Sequence, residues 1–366
     1  MSRPTKAIID LQALRHNFEL AQSLGQSSSH KASQTIPMVK ANAYGHGAVE
    51  VASALASIAP AFGVASIDEA INLRDNGITQ PILLLEGIFS PDEVSLAAQN
   101  NFWLMVENQP QVDAIINATL AQKVKVWLGM DTGMHRLGFQ PNEIQAAYDA
   151  LSNSHNVSDD IVITSHFACA DDLDSQATSE QIKNFDLHLP KTKNTLSTSL
   201  ANSAAILAWP QAHRDWQRPG LMIYGSSPFD QPQENADRLK SVMSFESAVI
   251  SLRNISAGES VGYTANWTAQ RDSTIATVTV GYGDGYPRSA PNGTPVLING
   301  VRCPLVGRVS MDMITVDVTD LPQVAIGDKT VLWGPDLPVN EIASACGTIG
   351  YELLTRMPAR VPRVYS

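Results

Sequence analysis

The strongest constraint on the fold is a regular alternation of short apolar runs with longer amphipathic segments between Thr35 and about Gly225. The short runs predict buried strands, and the amphipathic segments predict helices that cover a sheet. This alternation is typical of parallel βαβ units, and eight units indicate a closed (β/α)8 barrel rather than an open doubly wound sheet. The predicted strands are Ile36–Lys40, Phe62–Ala65, Ile82–Leu85, Phe102–Val106, Val124–Met130, Ile161–His166, Thr195–Ser199 and, least clearly marked, Asp215–Arg218 or Leu221–Tyr224.

Helical patterns lie between these strands, and one helix precedes them. Asp10 is a suitable N-cap for a helix over Leu11–Leu24. The other predicted helices of this region are Ala48–Ile58, Asp68–Asn76, Pro91–Ala98, Asn142–Ser152 and Glu180–Leu187.

The sequence changes in character after about Asp230. The stretch Ser226–Pro232 has the composition of a linker. Beyond it, β-rich runs are separated by turn residues such as Asn292-Gly293 and Asn299-Gly300 at hairpin-like intervals. We therefore expect an α/β protein with an N-terminal (β/α)8 barrel over residues 1–232 and a second, mainly β domain over residues 233–366.

Composition excludes several classes of partner. The net charge of −11 and the absence of any Lys/Arg-rich run argue against binding to nucleic acid. No apolar stretch approaches the roughly 20 residues that cross a bilayer, and the N-terminus lacks the apolar core of a secretory signal. Three cysteines, an odd and sparse number, indicate a reducing compartment. We expect a cytoplasmic protein without a membrane partner.

Polar residues recur at the ends of the predicted barrel strands, where active sites of such barrels are found. Lys40 ends the first strand and His166 ends the sixth. Arg136 follows the fifth strand, Ser203 follows the seventh, and Arg218 closes the eighth. This recurrence at equivalent positions predicts that the five side chains share one site.

Each of these residues also has an ordinary interpretation when it is taken alone. Lys40 is compatible with a surface lysine after a βα turn, and His166 with a buried histidine whose hydrogen bonds are satisfied. Ser203 is compatible with a plain helix N-cap, and Arg218 with a surface ion pair. A lysine in a partly desolvated pocket, by contrast, loses its proton near neutral pH and attacks a carbonyl.

The segment around Lys40 distinguishes between these interpretations. It reads Val39-Lys40-Ala41-Asn42-Ala43-Tyr44-Gly45-His46-Gly47 and resembles the pyridoxal-phosphate attachment site of the alanine racemase family. Asp131–Gly138, Val280–Gly285 and Gly307–Asp312 resemble further segments of that family in the same order. The resemblance implies a pyridoxal 5'-phosphate cofactor joined to Lys40 as an imine, and we expect no metal ion.

The resemblance also implies how the cofactor is held. Arg218 would face its pyridine nitrogen, and His166 would steady Arg218. A permanently cationic guanidinium cannot stabilise a protonated pyridine as a carboxylate would, which favours simple removal and return of the α-proton. The residues implied to bind the phosphate are Tyr44, Ser203, Gly220, Leu221 and Tyr351.

Racemisation needs a base on each face of the substrate α-carbon. By resemblance, Lys40 handles the proton on the D face and Tyr263 the proton on the L face, although Tyr263 alone is compatible with a sheet aromatic. The residues implied to contact the substrate are Arg136, Tyr282 and Met311. In the family, the β-domain residues reach the active site of the other subunit, so a head-to-tail homodimer with shared sites is implied.

One position departs from the family pattern. The family commonly has a lysine, often carbamylated, two residues before Asp131, and this chain has Gly129. We expect a bound anion such as chloride, or water, to fill the resulting gap beside Arg136.

These observations predict an enzyme that interconverts L-alanine and D-alanine by two-base proton transfer on an external aldimine. It would supply D-alanine for peptidoglycan or degrade it. A racemase of broader specificity that also accepts serine is the first alternative. A pyridoxal-phosphate decarboxylase would have an acidic residue in place of Arg218 and a cysteine as proton donor. A non-enzymatic cofactor carrier is a lone barrel, whereas this chain has a second domain.

Overall fold

The structure is a computed structural model that describes residues 3–27, 32–193 and 195–366. Eight parallel strands follow one another in the first sheet, with the first strand beside the eighth. A parallel bridge between Met38 and Gly63 closes the sheet, which confirms the predicted barrel. The eight barrel strands are Gln34–Thr35, Phe62–Val64, Ile82–Leu84, Phe102–Val106, Val126–Gly129, Val162–Thr164, Ser197–Ser199 and Trp216–Gln217.

Two of the predicted strands are placed differently in the structure. The first strand forms a regular ladder with the eighth only over Gln34–Thr35, although the N–H groups of Ile36 and Met38 still donate to the carbonyls of Gln217 and Pro219. Lys40 therefore lies beyond the strand rather than in it. The eighth strand is Trp216–Gln217, and Leu221–Tyr224 is a turn of 3-10 helix.

Helices alternate with the strands as predicted, although their ends differ by a few residues. Asp10 is the expected N-cap: its Oδ1 accepts the N–H groups of Gln12 and Ala13 at 2.9 and 2.8 Å. The helix Gln109–Asn117, which we did not predict, starts at Asn108, whose side chain accepts the Gln111 N–H. The remaining helices of the barrel region are Leu11–Ser27, Ala48–Leu55, Ile67–Asp75, Glu93–Gln99, Ile144–Ser152, Ala177–Leu187 and Ser203–Ala208.

Side chains fill the barrel, so it is a packed core rather than a channel. Trp103, Trp127 and Trp216 pack together on three different strands, with ring centroids 5.5 to 6.3 Å apart. The Lys125 ammonium lies 4.6 Å from the Trp103 ring centroid. This core holds the strands in place, and the site described below lies at their carboxyl ends.

The second domain is mainly β, as predicted. Its longest strand, Met243–Ile255, pairs with three neighbours. One of them, Lys6–Ile9, comes from the N-terminus of the chain and also pairs in parallel with Arg363–Tyr365. The other strands are Ser260–Val261, Trp267–Thr268, Ser273–Val278, Pro295–Ile298, Val301–Pro304, Ile314–Asp317 and Lys329–Trp333, and the helices are Val339–Ala345 and Gly350–Thr355.

Within the described residues, no helix combines the length and apolar character needed to span a bilayer. The three cysteines are free thiols. The same residues contain no cluster of histidine, cysteine and acidic side chains able to hold a metal ion.

Candidate active site

A cavity of about 710 Å³ opens at the carboxyl ends of the barrel strands. Glu86, Glu107, Asp131 and Asn202 contribute further polar groups to its wall. A second cavity, of about 510 Å³, lies next to Trp333, and none of the predicted site residues lines it. The predicted site residues that line the larger cavity are Lys40, Tyr44, Arg136, His166, Ser203, Arg218, Gly220, Leu221 and Tyr351.

Lys40 is placed by an unusual turn of backbone. The next four residues, Ala41 to Tyr44, all have φ between 51° and 53°, which is one turn of left-handed helix. The Asn42 side chain accepts the Ala48 N–H at 2.8 Å and joins this turn to the following helix. Tyr44, at the end of the turn, stacks on Tyr224 with ring centroids 4.8 Å apart. The turn thus brings Lys40 and Tyr44 to the same cavity.

The Lys40 amine lies among other cations. Burial lowers its pKa, and the Arg136 guanidinium lowers it further, while Glu86 and Glu69 act in the opposite direction. Lowering an amine pKa increases the neutral, nucleophilic fraction at a given pH. Lys40 is therefore suited to attack a carbonyl.

Ser203 and Gly220 form a small cradle on the opposite wall. The Ser203 hydroxyl accepts the N–H of Gly220 at 2.9 Å and that of Met222 at 3.3 Å. A Cβ on Gly220 would lie 2.5 Å from the Tyr44 hydroxyl, so only glycine allows this approach. Burial raises the pKa of Tyr44, and it raises that of Tyr351 to about 12, so both phenols are neutral donors. Such hydroxyl donors suit an anionic group such as a phosphate.

Arg218 is buried, with 5% of its surface exposed, and its guanidinium is held by neutral groups. Nη1 donates to Thr164 Oγ1 at 2.9 Å and to Ser199 Oγ at 2.5 Å. Nη2 donates to the Ser165 carbonyl at 2.6 Å and approaches His166 Nδ1 at 3.4 Å. Burial lowers the Arg218 pKa only to about 10, so the group stays cationic at neutral pH.

His166 lies beside this cation and is neutral. Burial and the charges of Arg218, Arg136 and Lys40 lower its pKa to about 3. A neutral ring can accept the Arg218 N–H at Nδ1. The structure therefore brings the two residues of this predicted pair together, and Arg218 is buried rather than a surface residue in an ion pair.

Tyr351 is the one predicted site residue of the β domain that lines the cavity of its own chain, and the other three do not line it. Tyr263, Met311 and Tyr282 are 72%, 53% and 41% exposed. The last two belong to one rigid corner, because the N–H groups of Tyr282 and Gly283 donate to the carbonyls of Ser310 and Met311.

Sequence reasoning missed Glu107 and Asp131. Asp131 Oδ1 accepts the N–H groups of Gly133, Met134 and His135 at 3.0 Å each, which shapes the loop that carries Arg136. Glu107 directly follows the barrel strand Phe102–Val106. Lys40 and His166 were selected as polar residues at the ends of barrel strands, and the same criterion would have selected Glu107.

The fold and the site together define a class of protein, a (β/α)8-barrel protein with a lysine amine and a buried arginine in the cavity at the carboxyl ends of its strands. Two family models match the chain, "Alanine racemase, N-terminal domain" over residues 9–228 and "Alanine racemase, C-terminal domain" over residues 242–365. The chain is 48% identical over 364 residues to "Alanine racemase, catabolic" of Pseudomonas aeruginosa, with 100% of this chain and 99% of the relative covered.

Solved structures agree with the family models. The biosynthetic alanine racemase from Pseudomonas aeruginosa has a TM-score of 0.94 at 46% identity, covering 100% of this chain and 99% of that one. An alanine racemase from Bartonella henselae, described with covalently bound pyridoxal phosphate, has a TM-score of 0.87 at 31% identity and 99% coverage of both chains. The chain belongs to the alanine racemase family, a family of isomerases.

Proposed function

We propose that this protein interconverts L-alanine and D-alanine with pyridoxal 5'-phosphate bound in the larger cavity. The observation that supports this most directly is the meeting of Lys40, with its lowered amine pKa, and the buried cation Arg218 in one cavity. A lysine amine suits an aldehyde cofactor, and a fixed guanidinium suits a ring nitrogen that is to remain unprotonated.

The chain's residues fit this cofactor. The cradle formed by Ser203, Gly220, Tyr44 and Tyr351 has the hydroxyl donors and the close backbone approach that a phosphate requires. Lys40 offers the amine that would join the aldehyde. When bound, the cofactor withdraws electrons from the substrate α-carbon and makes its proton removable.

Arg218 favours racemisation over the decarboxylase alternative. Its guanidinium is fixed by Thr164, Ser199 and the Ser165 carbonyl, and a neutral His166 packs beside it. An acidic residue at this position would stabilise a protonated ring and strengthen electron withdrawal. The Arg218 cation limits this electron withdrawal, so the proton returns to the α-carbon from which it came.

The second base is Tyr263 of another copy of the chain. Lys40 exchanges the proton on one face of the α-carbon, and a phenol is needed on the other face. Tyr263 is 72% exposed and lies outside its own chain's cavity, so the proposal includes a head-to-tail homodimer with two shared sites. Tyr282 and Met311 would reach the substrate from the same subunit as Tyr263, and Arg136 from the subunit of Lys40.

The test is coupled turnover of D-alanine to L-alanine by the purified protein with added cofactor. We expect turnover in both directions and a cofactor absorbance. Borohydride should abolish this absorbance and leave the cofactor permanently attached to Lys40. The variant Lys40→Ala should lose both. A protein that binds the cofactor without turnover would be a carrier. A panel of both enantiomers of several amino acids distinguishes an alanine enzyme from one that also takes serine. The cytoplasmic location and the choice between supply and degradation of D-alanine stay predictions.

A further inference from the structure

Gly129, the last residue of the fifth barrel strand, has no backbone reason to be glycine. Its φ lies outside the left-handed range, and a glycine within a strand weakens it. A Cβ at this position would lie 2.6 Å from Cδ of Glu107 and 3.0 Å from its Oε1, with Oε2 closer still. The carboxylate of Glu107 therefore occupies the space that any side chain at position 129 would need.

The fourth strand directs Glu107 into the cavity. Trp103 and Met105 lie on the inner face of this strand, and the two-residue period of a strand puts Glu107 on the same face. The Glu107 N–H donates to Gln111 Oε1 at 2.8 Å, which fixes the backbone at this point. The backbone that carries the carboxylate thus belongs to the scaffold rather than to a mobile loop.

Glu107 shares the cavity with three basic side chains and with the carboxylates of Glu86 and Asp131. Lys40, Arg136 and Arg218 all line the same cavity. The charges of Arg218 and Arg136 favour the ionised form of Glu107. Within the described residues, no ion pair is formed between Glu107 and either guanidinium, so the carboxylate acts on them across the cavity.

We propose that Glu107 is a positioning residue, whose carboxylate balances the charges of Arg136 and Arg218 and keeps the Arg136 guanidinium turned into the cavity. Arg136 is otherwise on an exposed segment and free to turn to solvent. The space next to Gly129 is thus taken by a side chain of the protein, whereas the chloride or water expected beside Arg136 stays a prediction. The effect on turnover rests on the function proposed above, whereas the placement of the carboxylate does not.

The ionisation of Glu107 gives this role a pH signature. Burial raises its pKa to about 7, against the effect of the two arginines. The carboxylate is therefore charged above this pH and becomes neutral as the pH falls through it. The titratable and charged groups that share the cavity with it are Lys40, Tyr44, Glu86, Asp131, Arg136, His166, Arg218 and Tyr351. His166, with a pKa of about 3, does not titrate in this range.

The experiment compares Glu107→Gln, Glu107→Asp, Glu107→Ala and Gly129→Ala in the holoenzyme, with Glu86→Gln as the matched glutamate variant on the Lys40 side. We expect Glu107→Gln to lower kcat on the order of tenfold to a hundredfold, as misplacement of a binding group does. It should also remove the acid limb near pH 7 from the kcat/KM profile. Glu107→Asp should restore the limb in part, and Gly129→Ala should reproduce the defect by displacing the carboxylate. Glu86→Gln should retain the limb.

Formate supplies a readout that does not depend on turnover. In Glu107→Ala it should occupy the space of the lost carboxylate, raise the midpoint of thermal unfolding and restore activity at fixed ionic strength. In the wild type formate should change neither the midpoint of thermal unfolding nor the activity. Wild-type kinetics and an unchanged acid limb in Glu107→Gln would overturn the proposal, and so would a folded Glu107→Ala that is indifferent to formate. If Glu107→Ala does not fold, the kinetics and pH profile of the isosteric Glu107→Gln variant test the proposal. A wild type without racemase activity would contradict the proposed function, but the effect of formate on thermal unfolding could still be measured and interpreted.

Discussion

The Glu69 carboxylate accepts the N–H of Ala41 at 2.7 Å, directly after the candidate catalytic lysine. Its other oxygen accepts the Ala65 N–H at 2.8 Å, so it joins the ends of two neighbouring barrel strands. Left-handed backbone costs an L-residue roughly 1–2 kcal/mol. The turn Ala41–Tyr44 therefore persists only because bonds such as these hold it, and strain of this kind is concentrated at functional sites.

The first prediction concerns Ala41, which is exposed and has φ 52°. Ala41→Gly should leave the free energy of unfolding unchanged or raise it, because the relief of strain offsets the greater entropy of the unfolded chain. Ala41→Val should lower it by about 1–2 kcal/mol, since a β-branched residue tolerates positive φ least. Urea unfolding followed by circular dichroism measures both variants.

Ala146 is the matched control, since it is exposed in the right-handed helix Ile144–Ser152. There the order should reverse, with Ala146→Gly the less stable variant by about 1 kcal/mol and Ala146→Val in between. The same ranking of Gly, Ala and Val at both positions would contradict the left-handed assignment.

The second prediction concerns Asp284, which is fully buried behind Tyr282. It accepts from Arg3 at 2.5 and 2.7 Å, from Arg360 at 2.9 Å and from the Gly281 N–H at 2.9 Å. Asp284→Asn leaves two arginines without their shared partner and should lower the free energy of unfolding by about 3 kcal/mol. Because the corner that presents Tyr282 loosens, KM for alanine should rise as well.

Asp320 provides the comparison for Asp284. It pairs with Arg271 at the surface, where its side chain is 82% exposed. Asp320→Asn should change stability by less than about 1 kcal/mol and leave KM as it is. Equal effects of the two substitutions would show that Asp284 does not organise this corner.

The third prediction concerns His46, which is fully buried and stacked on Tyr224. Its Nδ1 lies 3.1 and 2.9 Å from the carbonyls of Ala43 and Tyr44, and burial lowers its pKa to about 4. The unfolded chain binds this proton near pH 6.5, so the folded state loses stability as the pH falls from about 6.5 to 4. The loss should reach about 3 kcal/mol at most.

Urea unfolding at a series of pH values tests this. His46→Gln should be less stable at pH 7.5, because it loses the stacking on Tyr224, yet its stability should vary less between pH 6.5 and 4. The same substitution at exposed His155 is the control. A slope in His46→Gln as steep as that of the wild type would place the acid sensitivity elsewhere.

The periodicity of apolar residues predicts much of this fold. It fails where chain topology or tertiary contacts determine which segments form strands. The strand Phe102–Val106 has the predicted bounds, since its apolar and aromatic run is bordered by turn residues. Lys6–Ile9 was missed because its partners, Met243–Glu246 and Arg363–Tyr365, are more than 200 residues away in the sequence. No local pattern reports such a pairing.

The same distinction applies to the site. Position at strand ends selected Lys40, His166 and Arg218, and the structure gathers them in one cavity. The sequence argument about Gly129 compared one position with the family and did not consider the neighbouring strand. Glu107 fills that space from across the ladder, and only the register of the two strands makes this visible.

The final prediction tests the shared site. If each site combines Lys40 of one subunit with Tyr263 of the other, a hybrid of Lys40→Ala and Tyr263→Phe subunits has one site with both lesions and one with neither. Each parent variant alone should be nearly inactive. Random reassociation of equal amounts makes half of the dimers hybrids, so about a quarter of all sites should be intact. The mixture, unfolded and refolded together, should recover about a quarter of wild-type activity.

Two controls make this result specific. Each variant refolded alone should stay inactive, and simple mixing without refolding should recover activity only as fast as subunits exchange. Because Tyr263 is 72% exposed on its own chain, a site contained within one subunit has no access to it without a large movement of the β domain. Absence of recovery after verified hybrid formation would therefore require both bases to come from the same chain, and the head-to-tail arrangement would have to be abandoned.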